Sequence, residues 1–169
     1  VNGGGGVLFN DNPSLENLKT ICEAHAKLGS TSIMPTLISD SPELNKQAIS
    51  AITNALDQQV NGLIGLHLEG PHLALARKGA HKEDFIRPMK EFDCLELESV
   101  ANKVPNLMLT IAPEAVSSEQ ITRLSNAGAI ISLGHTDCTF NQAAEAVDAG
   151  ATCATHLFNA MSPFGSREP

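Results

Sequence analysis

Apolar residues recur along this chain in two alternating rhythms, one helical and one extended. Over residues 12–28, Leu18, Ile21, Cys22 and Leu28 make one face, Pro13 suits a first helical position and Gly29 suits the exit, so the pattern predicts a helix. Residues 30–37, around Ile33 and Met34, read as a short strand. Ser41-Pro42-Glu43 then opens a second helix, with Leu44, Ala48, Ile52 and Leu56 in one stripe. An apolar strand over 62–68 follows, then a charged, histidine-rich irregular stretch over 70–87 whose length is more typical of functional connections. A helix over 90–102 leads to a strand over 107–112. Ser117 and Gln120 form a capping box for a helix that faces Ile121, Leu124 and Ala127 inward and stops at Gly128. A strand over 129–133 comes next. Thr139 and Gln142 repeat the capping logic, Ala143, Ala144 and Val147 pack, Gly150 stops the helix, and 151–156 is the fifth strand.

Strand–helix units repeated without a hairpin signal require parallel strands joined by crossover helices. Two α/β architectures satisfy that requirement: an open doubly wound sheet and a (β/α) barrel. The run Gly3-Gly4-Gly5-Gly6 lacks the spacing and the strand–turn–helix setting of a dinucleotide fingerprint. Polar residues and histidines recur at strand exits, where barrels place their sites, and this favours the barrel. Five countable strands against the eight that close one predict an incomplete barrel.

Composition narrows the function. A chain of 169 residues supports one sizeable core. Eleven Lys+Arg against 19 Asp+Glu give a net charge of −8, which argues against nucleic acid or an anionic membrane as partner but not against a small anionic substrate. No apolar run approaches a membrane span, and the glycine-rich start lacks the basic and apolar regions of a signal peptide. Cys22, Cys94, Cys138 and Cys153 are scattered without a C-x-x-C pair; they read as reduced thiols of a cytoplasmic protein and as poor metal ligands. The chain starts without Met and ends at Arg167-Glu168-Pro169, so a fragment is expected.

Three strand exits carry chemistry: His67-Leu68-Glu69-Gly70-Pro71, Gly134-His135-Thr136-Asp137, and Thr155-His156-Leu157-Phe158-Asn159. Strand alternation puts His67 and Glu69 on one face and Leu68 on the other. His135 and His156 lie at exits two and three strands after Glu69, so if the barrel closes the three converge from a common rim as a two-histidine, one-carboxylate set with an open position, suited to catalytic Zn²⁺ or to Fe²⁺. A single histidine at a strand end is more often only hydrogen-bonded, so the case rests on the three together. His67 reads as a barrel-lining support for the ligands. The string His67-x-Glu69 without P-C-x-x-C excludes the zinc nucleobase deaminases. His25 reads as a boundary core residue, His72 has no assignment, and Asp137 reads as ordering the turn before the next helix.

These strings, with Lys78-Gly79-Ala80-His81, Leu109-Thr110-Ile111-Ala112-Pro113-Glu114 and the opening Asn2-Gly3, closely resemble the N-acetylglucosamine-6-phosphate deacetylase family of the amidohydrolase superfamily, from end to end of the chain. The resemblance implies a (β/α)₈ TIM-like barrel, present here as about strands 2–6, with 1–169 the central part of the catalytic domain and the small accessory domain and last barrel units absent. It implies hydrolysis of the N-acetyl group of N-acetylglucosamine 6-phosphate, one divalent metal held by Glu69, His135 and His156, and a cytoplasmic homodimer. It assigns sugar binding to Ala80, His81, Asn159 and Ala160 and phosphate binding to Arg167, whose planar fork suits phosphate oxygens. Asn2 stands where other superfamily members carry the second histidine of a His-x-His pair, which implies a single metal. The family's general acid/base aspartate lies beyond the chain end, so the isolated fragment is expected to be inactive. Another single-metal amidohydrolase, or a fragment that only binds metal or sugar phosphate, is the alternative.

Overall fold

A computed structural model describes residues 1–163 of the chain. Five strands, β3 (Thr36–Ile38), β4 (Leu66–Glu69), β5 (Leu107–Ile111), β6 (Ile130–Leu133) and β7 (Ala151–Ala154), form one parallel sheet in strict chain order. The crossovers are α2 (Pro42–Asp57), α3 (Glu91–Ala101), α4 (Ser118–Asn126) and α5 (Phe140–Asp148), and α1 (Leu15–Lys27) precedes β3. A sequential order has no reversal point, the defining feature of a doubly wound sheet. Neighbouring helices pack on one another, α1 on α2, α3 on α4 and α4 on α5, so the sheet is a barrel-like arc with an outer helical layer.

Local chemistry places most helix ends. Ser41 Oγ accepts the Leu44 amide at 3.2 Å, Ser117 and Gln120 exchange bonds of 3.0 and 3.2 Å, and Thr139 and Gln142 exchange bonds of 2.9 and 3.3 Å. Helix α1 begins later than its apolar pattern predicts because Ser14 caps it by accepting the Asn17 amide, leaving Pro13 outside. Leu18, Ile21, Ile52, Ile121 and Leu124 from the helices bury against Leu66, Leu107 and Ile131 from the sheet. Each such side chain contributes roughly 1.5–3 kcal/mol.

Strand boundaries shift in a consistent way. The predicted strands over 30–37 and 62–68 pair as a ladder only from Thr36 and Leu66 onward, with a lone bridge between Ile33 and Leu63 upstream. An apolar run shows burial, whereas the ladder begins where the neighbouring strand comes into register. The last strand stops at Ala154 rather than residue 156, because His156 turns into a left-handed conformation.

The N-terminal segment carries an unpredicted hairpin, β1 (Gly3–Gly4) against β2 (Val7–Leu8), turning at Gly5 and Gly6. It also covers the edge of β3. The Asn10 amide meets both the N–H and the C=O of Ile38 at 3.1 Å, and Asn2 Nδ2 donates to the Thr36 carbonyl at 2.8 Å. A side-chain amide here stands in for a strand residue and satisfies an edge that would otherwise be open. Half-buried His25 holds the hairpin through a 2.9 Å bond to the Gly3 carbonyl.

Register places a polar belt on the inner face. Thr36 pairs with His67, and Thr110 lies opposite both Glu69 and Ser132. His67 meets Thr36 Oγ1 at 3.0 Å through Nδ1 and Thr110 Oγ1 at 2.7 Å through Nε2. Thr155 Oγ1 then joins Thr110 and Ser132, each at 2.7 Å. His67 is the lining residue its position predicts. Burial holds its imidazole down to about 4, against the raising effect of Glu69, so it is neutral and both nitrogens are committed to the belt.

Candidate metal centre

Glu69 is the last residue of β4, and His135 and His156 each lie two residues beyond the end of a strand. Both histidines have left-handed backbones, φ 50° and 33°. That conformation costs a non-glycine residue about 1 kcal/mol or more, and it persists where the surroundings fix it. The Ala74 amide donates to the His135 carbonyl at 2.9 Å, and the Asn159 amide donates to the His156 carbonyl at 2.8 Å. The turns swing both imidazoles inward above the belt.

The imidazoles are set by their outer nitrogens. His135 Nδ1–H donates to the Arg77 carbonyl at 2.7 Å, and His156 Nδ1–H donates to the Asn159 carbonyl at 3.0 Å. A carbonyl can only accept, so in each neutral ring the lone pair sits on Nε2. Both Nε2 atoms face Glu69 Oε1, at 3.0 Å from His135 and 3.2 Å from His156, and lie 3.2 Å from each other. Two lone pairs and a carboxylate oxygen at this spacing repel unless a proton or a cation sits among them. Tetrahedral bonds of about 2.05 Å put ligand atoms about 3.3 Å apart, and a facial octahedral set at about 2.1 Å puts them about 3.0 Å apart. The triangle fits both geometries, so the donor set suits a divalent ion without selecting one.

Electrostatics agree. Burial alone would raise the Glu69 carboxyl, but the hydrogen bond with His135 and the neighbouring His81, His135 and His67 bring it down to about 2. Burial alone would lower the His135 imidazole, yet the bond to Glu69, the Arg77 carbonyl and the Glu69 charge raise it overall. The site therefore holds an anionic carboxylate that favours positive charge beside it.

Of the residues the resemblance assigned to the sugar, His81 comes to the cluster. It is buried, its Nε2 lies 4.0 Å from Glu69 Oε2, and its ring stands edge-on to His135 with centroids 4.6 Å apart. The Ser39 amide donates to its Nδ1 at 3.2 Å, which leaves the hydrogen on Nε2, pointing toward the site. Burial, reinforced by His135, lowers this imidazole to about 4. Ala80 is exposed beside it. Asn159 and Ala160 lie in the His156 turn, where the Asn159 amide and both carbonyls bond within the protein, to His156 and to Thr136. Arg167 lies outside the described residues.

Several contributors have no side-chain signature in the sequence. Arg77 acts through its carbonyl, which any residue could supply. Gly79 has φ 55°, and a Cβ there would stand 3.2 Å from His135 Cε1. Asp137, expected to order the turn before the next helix, accepts from Arg77 Nε at 2.7 Å and ties that turn to the long loop. That connection is longer than a structural crossover needs because it folds back over the exits through two 3₁₀ turns, Leu75–Arg77 and Glu83–Phe85. Arg87 anchors its far end, meeting Asp93 at 2.5 and 2.6 Å, while His72 Nδ1–H donates to the Arg87 carbonyl at 3.1 Å. Asn2, which the resemblance set at a superfamily ligand position, is committed to Asn10 and Thr36. Two grooves of about 450 and about 600 Å³ follow the α2–α3 seam, and neither includes Glu69, His135 or His156.

No protein-family model matches the chain. It is 44% identical over 169 residues to an N-acetylgalactosamine-6-phosphate deacetylase of Shewanella sp. (strain ANA-3), covering all of this chain and 42% of that protein. It is 41% identical to an N-acetylglucosamine-6-phosphate deacetylase of Haemophilus influenzae, over 98% of this chain and 43% of the relative. Among solved structures, an N-acetylglucosamine-6-phosphate deacetylase from Pasteurella multocida superposes with a TM-score of 0.92 at 38% identity, over 98% of this chain and 43% of that one. A variant of the Mycobacterium smegmatis enzyme in complex with N-acetyl-D-glucosamine-6-phosphate superposes with a TM-score of 0.89 at 35% identity, over 100% of this chain and 44% of that one. Over its whole length, in sequence and in fold, the chain is thus homologous to the N-acetylglucosamine-6-phosphate deacetylases, and it spans 42–44% of the length of these relatives.

Proposed function

We propose that this chain supplies the metal centre of a deacetylase that hydrolyses the N-acetyl group of N-acetylglucosamine 6-phosphate, giving glucosamine 6-phosphate and acetate. The observation that carries the reading is the convergence of Glu69 Oε1 with the His135 and His156 Nε2 atoms, each ring held by its Nδ1–H. Glu69, His135 and His156 would hold one divalent ion, Zn²⁺ by preference and Fe²⁺ as the alternative. When bound, such an ion supplies Lewis-acid polarisation of the acetyl carbonyl and an acidified water.

The chain's own residues orient the substrate. His81 presents an Nε2–H to the site and donates to an oxygen of the sugar or its amide. Ala80, Asn159 and Ala160 form the rim against the sugar. Arg167 takes the phosphate, in a homodimer. Proton transfer belongs to the aspartate that the family resemblance places on a later strand, so turnover is assigned to a polypeptide of the relatives' length. Within that polypeptide, residues 1–169 form the central part of the barrel domain.

The N-acetylgalactosamine-6-phosphate deacetylase among the relatives supports a second reading, in which the sugar is the C4 epimer. Deacetylation rates with the two phosphorylated acetylhexosamines and their unphosphorylated forms, measured on a protein of the relatives' length containing this chain, separate the readings. Turnover of a phosphorylated sugar with loss on chelation supports the proposal. Equal rates without the phosphate point to another amidohydrolase.

A further inference from the structure

We infer that Glu114, which lies three residues beyond the end of β5 and is exposed, is a positioning residue that sets both histidine turns through Thr136. Both of its carboxylate oxygens are committed to one turn. Oε2 accepts the Thr136 hydroxyl at 2.5 Å, and Oε1 accepts the Asp137 amide at 2.6 Å. Thr136 is 5% exposed and touches both halves of the cluster. It follows His135 directly in the chain, and its amide donates to the Ala160 carbonyl at 3.2 Å. Ala160 follows Asn159, whose carbonyl receives the His156 Nδ1–H at 3.0 Å. A single carboxylate thereby fixes the residue that joins the His135 turn to the His156 turn.

The chemistry requires a carboxylate. The Thr136 hydroxyl already accepts the Cys138 amide at 2.9 Å, so its own hydrogen must go outward to Glu114. The Asp137 amide is also a donor, so position 114 must accept twice, once on each oxygen. Glutamine offers one accepting oxygen and an NH₂ that would face a donor. Charge assistance makes both bonds stronger than neutral ones. A plain helix-capping role is already filled, because α5 has its own capping pair in Thr139 and Gln142. What Glu114 adds is control of two left-handed turns.

This inference rests on the metal reading for its effect on affinity, while its geometric content stands without metal. The test compares the parent chain with Glu114→Gln, Thr136→Val and the conservative Thr136→Ser. In metal-free protein, ¹⁵N NMR reads the imidazole nitrogens; then Co²⁺ is titrated and followed by its visible absorption. Glu114→Gln and Thr136→Val are expected to shift the His135 and His156 resonances and leave His25 and His72 in place. Both should weaken Co²⁺ binding about 10–100-fold, with Thr136→Ser restoring it. Unmoved imidazole resonances with parental Co²⁺ affinity overturn the inference, as does a loss of thermal stability with nothing else changed. If the parent itself takes up no Co²⁺, the metal reading fails and the imidazole resonances alone decide the positioning role. Should Thr136→Val not fold, Glu114→Gln against Thr136→Ser carries the same comparison.

Discussion

Thr110→Val is the substitution that tests whether the polar belt beneath the site holds the sheet. Thr110 is fully buried, and its hydroxyl bonds His67 Nε2 and Thr155 Oγ1, each at 2.7 Å. Valine keeps the shape and removes both bonds. Thr155 retains Ser132, so the main loss falls on His67 Nε2, which is left without a protein partner in a half-buried position. Leaving such a group unsatisfied costs about 1–3 kcal/mol, and the second bond adds about 0.5–1.5 kcal/mol. The sum, about 1.5–4.5 kcal/mol, is a large share of the roughly 5–15 kcal/mol that holds a domain together. Urea unfolding of the parent, Thr110→Val and Thr110→Ser at neutral pH measures it. Serine keeps the hydroxyl and loses only a methyl, about 1 kcal/mol. A valine variant within about 0.5 kcal/mol of the parent, or one no worse than serine, would show that the belt does not hold the sheet.

Three further outcomes follow from other contacts. His135→Ala should reduce bound metal to background by elemental analysis, since it removes one of three convergent donors, and unchanged occupancy would count against its role. Gly79→Ala should cost about 1–2 kcal/mol from its left-handed backbone and also weaken metal binding, because the new Cβ would press on His135; loss of stability with parental metal affinity would separate the two effects. Asp93→Asn breaks the Arg87 pair and, with that arginine partly exposed, should destabilise by about 1–2 kcal/mol at pH 7. Burial alone would raise the Asp93 carboxyl, but the Arg87 bond and the Lys90 amide hold it below its ordinary value. Its stabilisation is therefore complete above about pH 4 and fades as pH falls through the lower folded value, so parent and variant should converge in acid unfolding curves.

What the sequence revealed was local or periodic. Ser41, Ser117 and Thr139 cap as written because capping depends on neighbours three residues away. Parallel pairing was legible because alternating units require crossover helices, and the recurrence of histidines at strand exits placed Glu69, His135 and His156 on one rim. Strand starts were not legible, since the run from Gly62 is apolar before Leu66 enters its ladder. The hairpin at Gly3–Gly4 escaped because glycines carry no alternation. The second layer of the site was least visible. Arg77 contributes a carbonyl, Ser39 reaches His81 across 42 residues, and the left-handed backbones at His135 and His156 are imposed by contacts with distant loops.

Anomalous diffraction from crystals of the chain grown with Zn²⁺ would locate an ion held by Glu69, His135 and His156. One peak is expected, about 2.0–2.2 Å from a Glu69 carboxylate oxygen and from Nε2 of both His135 and His156. A peak on the cysteines or at the surface, with these three side chains turned away from one another, would contradict it.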